Sequence, residues 1–198
     1  LDNKCILTQL EIQENQKIFP VGSCRLDYDN SKKNSKRILK GNNRKKTILF
    51  LIGFHFDRNH FCFGYKREKL ETELWEFNYD ILCLLKKYQK KYNIIFKDYP
   101  TGSQNLWKKI LKDINANEIL FVSDEYSVND LLRISDLNIL PWVSTTFFEA
   151  LYFDSDIFVI DEDLCEKHFE GNLKDEIFYF NNTKKFLLEI EKYLETGN

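Results

Sequence analysis

The sequence predicts an α/β fold: one Rossmann-like domain with a mostly parallel five-stranded sheet and helices on both faces. Two observations carry this. From Thr47 onward, short apolar runs rich in Ile, Val, Leu and Phe alternate with longer amphipathic stretches, the alternation of a parallel sheet covered on both sides. The apolar runs are nearly continuous rather than alternating, which marks strands buried on both faces.

The first run is Thr47 to Phe54 (TILFLIGF). From Arg67 to Tyr92, Leu70, Leu74, Phe77, Ile81, Leu85 and Tyr88 recur every three to four residues, the spacing of a long amphipathic helix. Asn93 to Phe96 is the second strand, and Ser103 to Asn115 the second helix, with Leu106, Trp107, Ile110, Leu111 and Ile114 inward. Glu118 to Val122 is the third strand. Ser127-Val128-Asn129-Asp130 has the Ser-x-x-Asp form of a capping box and opens a short helix through Ile134.

The stretch Asp136 to Asp161 follows. It holds an apolar run (Leu137 to Trp142), the hydroxyl triplet Ser144, Thr145 and Thr146, an amphipathic segment (Phe147 to Phe153) and another apolar run (Ile157 to Ile160). Together these form a βαβ unit. Beyond it, Asp163 to Phe169 and Lys184 to Leu194 read as helices and Phe178 to Phe180 as a short edge strand. The expected division is a leading segment, 1–46, and a domain, 47–198.

Charge narrows the function. The 198 residues carry 29 basic and 31 acidic side chains, a formal net charge of −2, which argues against a dedicated nucleic-acid binder. Asn30 to Lys46 contains eight basic residues and no acidic one. Taking +8 from −2 leaves −10 elsewhere. This stretch suits a solvated linker or contact with an anionic membrane surface through residues 32–46, and composition leaves both open. Five scattered cysteines (Cys5, Cys24, Cys62, Cys83, Cys165) without a CxxC pair read as reduced thiols. The expected location is therefore cytoplasmic, with contact at the inner membrane face left as an open alternative through the basic stretch. The chain begins at Leu1 without a Met, so the lack of a signal-peptide pattern carries little weight.

In open parallel sheets, ligands lie outside the carboxyl ends of the strands. Ser144, Thr145 and Thr146 fall there, at the mouth of a helix whose free N–H groups suit an anion. The hydroxyls serve phosphate contact or plain helix capping. Glu149, one turn on, suits ribose hydroxyls, but Thr146-x-x-Glu149 is also a capping box. Lys97, at a strand end, offers a point cation or is simply an exposed lysine. His55, Asp57, His60 and Cys62 match no standard zinc spacing, so no metal is expected, and no cofactor. No GxGxxG, P-loop or GxSxG pattern occurs.

Three stretches resemble the C-terminal half of a GT-B glycosyltransferase, nearest to bacterial surface-polysaccharide and CDP-glycerol-type polymer transferases. Val21-Gly22-Ser23-Cys24-Arg25-Leu26-Asp27 is similar to the Gly-x-x-Arg-x-Asp segment leading into the second domain. Ile94 to Pro100 resembles their strand ending in a basic residue and proline, with Tyr99 where histidine is usual. Asp136 to Ile160 resembles their aspartate, strand, Ser-Thr, Glu-Ala-Leu, strand core, with Asp156 and Ile157 replacing Lys-Pro.

The resemblance implies a nucleotide-diphosphate sugar (or CDP-polyol) donor. Ser144, Thr145, Thr146 and Lys97 would meet its diphosphate, and Glu149 its ribose. It also implies an N-terminal domain supplying acceptor site and catalytic base, so no catalytic residue is named. The alternatives are a sugar-nucleotide epimerase of the same fold and a non-catalytic α/β interaction module.

Overall fold

A computed structural model of the chain describes residues 45–52, 71–98, 104–123, 125–141, 145–153, 155–160, 178–180 and 182–197. In chain order the elements are β1 (Thr47–Leu51), α1 (Glu71–Lys87), β2 (Asn93–Lys97), α2 (Gln104–Asp113), β3 (Leu120–Val122) and α3 (Val128–Leu132). Then come β4 (Leu137–Leu140), α4 (Thr145–Ala150), β5 (Asp156–Ile160), β6 (Phe178–Phe180) and α5 (Thr183–Thr196).

The strands form one sheet in the order β3-β2-β1-β4-β5-β6. All five neighbouring pairs are parallel. This is a Rossmann-like arrangement, with the sixth strand extending the expected five. β6 is held at the edge by aromatic contact. Phe158 stacks on Phe178 and on Phe180, with centroids 4.6 and 5.8 Å apart. Such cross-strand pairs add about 0.5–1.5 kcal/mol beyond area burial.

Period-two alternation along the strands feeds two cores. Ile48, Phe50, Ile94, Phe96, Leu137, Ile139, Phe158 and Ile160 pack with α1, α2 and α5 on one face. Leu49, Leu51, Ile95, Val122, Leu140, Ile157 and Val159 pack with α3 and α4 on the other. In the first core Phe96 stacks on Phe50 and meets the edge of Trp107, both at 5.3 Å. Phe77 and Phe180 each pack on Phe186, so α5 closes the same face over α1 and β6.

Element ends differ from the sequence expectation for local reasons. β3 begins at Leu120, because the Glu118 N–H donates to the Gln89 side chain and the Ile119 N–H to the Ala116 carbonyl. Those turn bonds replace ladder bonds. β4 stops at Leu140, because Pro141 has no N–H to give a neighbouring strand. The capping box at Ser127 forms as expected: its hydroxyl accepts from the Asp130 N–H. The leading segment through residue 44, the expected helix from Asp163 and the early Gly22–Asp27 motif lie outside the described residues.

The amino edge of the sheet is a structural clamp. α5 ends in Gly197, in the left-handed conformation (φ 82°), whose N–H donates to the Tyr193 carbonyl. Helix carbonyls left without partners need donors from elsewhere. Here Lys91 and Tyr92 donate to the Leu194 carbonyl, Lys91 also to that of Glu195, and Lys46 to that of Gly197. Lysines at a helix C-terminus also match its negative dipole end.

Candidate functional site

The strand order reverses between β1 and β4: the chain runs outward through β2 and β3, then returns to pair β4 with β1. Neighbouring connections there leave on opposite faces, so a crevice opens outside the carboxyl ends. α4 starts five residues after β4 ends, at that edge. Thr145 is exposed and Thr146 half-buried, both in the first turn of α4. Ser144 lies outside the described residues.

This start revises the capping reading. A capping box needs its hydroxyl residue at the flanking, non-helical position. Thr146 is already helical, so Thr146-x-x-Glu149 does not form one. Glu149 is instead buried, 7% exposed, on the side of α4 that also buries Phe147 and Ala150.

Lys97 is also not the exposed lysine that spacing allowed. It is 7% exposed at the carboxyl end of β2, and its ammonium donates to the Ser123 carbonyl at the end of β3. Ile95 belongs to the core under α3 and α4, and strand alternation puts Lys97 on that same face. Asp98, the next residue, is 2% exposed. Sequence reasoning missed Asp98 and Glu125. The Glu125 carboxylate accepts both the Ser123 N–H, at 2.8 Å, and the Ser123 hydroxyl, at 3.0 Å. Its own backbone N–H, then these two donors, hold the carboxyl below the ordinary range. The Ser123-x-Glu125 spacing at a strand end was the available signal.

Neither a protein-family model nor a curated protein sequence matches this chain. The site's chemistry therefore rests on its own residues. The fold brings Thr145, Thr146, Glu149 and Lys97 to one edge of one domain. His55, Asp57, His60, Cys62 and His168 lie outside the described residues. Among the described residues no group of three His, Cys, Asp or Glu side chains could hold a metal ion, and none of their helices is long and apolar enough to cross a membrane.

Proposed function

We propose that the carboxyl edge at the β1/β4 switch point binds a nucleoside diphosphate. We further propose that the chain is the donor-binding half of a glycosyltransferase using a nucleotide-sugar or CDP-polyol donor, in surface-polysaccharide synthesis. The observation that carries the binding reading is the strand order, which reverses between β1 and β4 where α4 begins.

In this reading the first-turn N–H groups and the hydroxyls of Thr145 and Thr146, with Ser144, meet the diphosphate. Lys97 supplies a cation from the neighbouring strand end, and Glu149 accepts from ribose hydroxyls. Supporting it, Lys97 and Glu149 are buried charged residues, at the carboxyl end of β2 and in α4. A second domain would bring the acceptor and general base, because transfer requires both reactants held in one geometry. The basic stretch 32–46 would hold the chain against an anionic membrane surface.

Calorimetric titration of the chain with UDP, CDP and GDP tests the binding. The expected affinity is in the high micromolar range or weaker, roughly −4 to −6 kcal/mol, with no glycosyl transfer by these residues alone. No binding of any nucleotide by the folded chain would overturn the reading and favour an interaction module. Sedimentation with phosphatidylserine vesicles, before and after substituting the lysines of 32–46, tests the membrane contact.

A further inference from the structure

Helices α1 and α2 lie side by side on one face of the sheet. Trp75 of α1 stacks on Trp107 of α2, with centroids 4.4 Å apart, near their first turns. At the far end Gln89, just past α1, donates to the Asn115 carbonyl and accepts the Glu118 N–H. Each helix leads from one parallel strand back to the start of the next, so the two run in the same direction.

The outer side of this pair carries an apolar seam. Tyr79 follows Trp75 by four residues, on the same side of α1, and is 42% exposed. On α2, the Lys108 ammonium lies 5.6 Å from the centroid of Phe121 in β3. β3 is the edge strand beyond β2, so this is the side of α2 away from α1. Leu106 and Ile110 flank Trp107 on the opposite side and therefore look toward α1. Leu106 is 48% exposed, and Ile110 is half-buried against the core. Adjoining exposed apolar side chains of this kind mark interaction surfaces.

Opposite charges border the seam at matching heights. Glu76 and Asp80 are exposed on α1, and Lys109 and Lys112 are exposed on α2. Glu76 stands one residue past Trp75 and Lys109 two past Trp107, while Asp80 and Lys112 each stand five past. A two-fold axis along the helices exchanges the two sides of the seam and keeps the helix direction. It lays α1 of one copy over α2 of the other, so each acidic flank meets a basic one. An axis across the helices would set Glu76 against Lys87 instead, and Lys87 is already bridged to Glu191 at 2.8 Å.

We propose that the α1–α2 face is the interface of a homodimer. Trp75, Tyr79, Leu106 and Ile110 pack about a two-fold axis parallel to the helices, and Glu76 and Asp80 of each copy stand opposite Lys109 and Lys112 of the other. The apolar seam supplies the affinity. Exposed ion pairs contribute little to it, but they choose the partner and fix the orientation. Both carboxyl edges then stand at one end of the dimer, and Lys45 and Lys46 of both copies at the other. This dimer does not depend on what the carboxyl edge binds.

Sedimentation equilibrium of the full chain tests it, with thermal unfolding to confirm that each variant is folded. The parent should dimerise reversibly with a dissociation constant of about 1–100 µM. Leu106→Ser should weaken the dimer about tenfold, as loss of a central apolar contact does. Glu76→Lys alone and Lys109→Glu alone should each weaken it as much, because like charges then face each other. The double variant restores opposite charges across the axis and should return to within about threefold of the parent. All three side chains are exposed, so the fold should survive each change. A parent that stays monomeric at about 200 µM would overturn the proposal. A dimer indifferent to Leu106→Ser would also overturn it, as would a double variant no stronger than either single one.

Discussion

Asp136 and Thr47 are joined twice. The Thr47 N–H donates to Asp136 Oδ2 at 2.6 Å, and the Asp136 N–H donates to the Thr47 carbonyl at 2.8 Å. The Asp136 carbonyl in turn accepts from the Asp156 N–H at 3.0 Å. One residue thus aligns the amino ends of β1, β4 and β5, at the edge of the sheet opposite the candidate site.

Asp136→Ala is therefore expected to cost stability by about 1–2 kcal/mol, the scale of a part-buried hydrogen bond to a charged group. Asp136→Asn, which keeps an acceptor, should cost less. Urea unfolding measures both. Nucleotide affinity should not change in either variant, since the pin lies at the far edge.

Asn138 makes a second structural prediction. It is fully buried in β4, where its side-chain oxygen accepts from the Ser135 hydroxyl at 2.7 Å and its amide donates to the Ser155 hydroxyl at 2.6 Å. Asn138→Ala removes both bonds and leaves a void, at an expected cost of about 2–4 kcal/mol. A lower urea midpoint with an unchanged slope would match loss of these contacts alone.

At the candidate site, Thr146→Ala and Glu149→Ala should each weaken nucleoside-diphosphate binding by about 1–3 kcal/mol. Calorimetry reads the affinity and thermal unfolding the stability. Parental affinity combined with a lower melting temperature would assign these side chains to folding alone.

Tyr193 sets an alkaline limit. Burial, then its hydrogen bond to Asp156 Oδ2 at 2.5 Å, raises the phenol above its ordinary value of 10.0. The folded chain keeps this proton at pH values where the unfolded chain has lost it. The sign follows from linkage: the stabilisation is complete below pH 10.0 and is lost as pH rises toward the folded value. Tyr193→Phe should be less stable at neutral pH, with a flatter decline above pH 10.0. Urea titrations between pH 7 and pH 11 check the slope, and an equal slope in parent and variant would contradict it.

Much of the candidate site was legible as residue types but not as environments. Thr145, Thr146, Glu149 and Lys97 could be assigned to a helix start and a strand end because these follow from apolar runs and their breaks. That Lys97 is buried against Ser123, and Glu149 beneath α4, could not be read from spacing. A Lys after an apolar run looks the same whether the next strand covers it or leaves it in water. The capping reading of Thr146 and Glu149 shows the same limit, since a shift of one or two residues in the start of α4 changes what each side chain can reach.

By itself the sequence determined which of the described segments are strands and which are helices. Apolar continuity in TILFL and DIFVI, and the three-to-four-residue recurrence through Phe77, Ile81 and Leu85, act over a few residues and demand burial wherever the chain goes. Only the tertiary structure decided the order of the strands, and with it the switch point, the Asp136–Thr47 pin and the Lys97–Ser123 contact. Those partners stand 89 and 26 residues apart. Many strand orders would bury the same apolar faces, and the choice among them is made by long-range hydrogen bonds and packing that local periodicity does not encode.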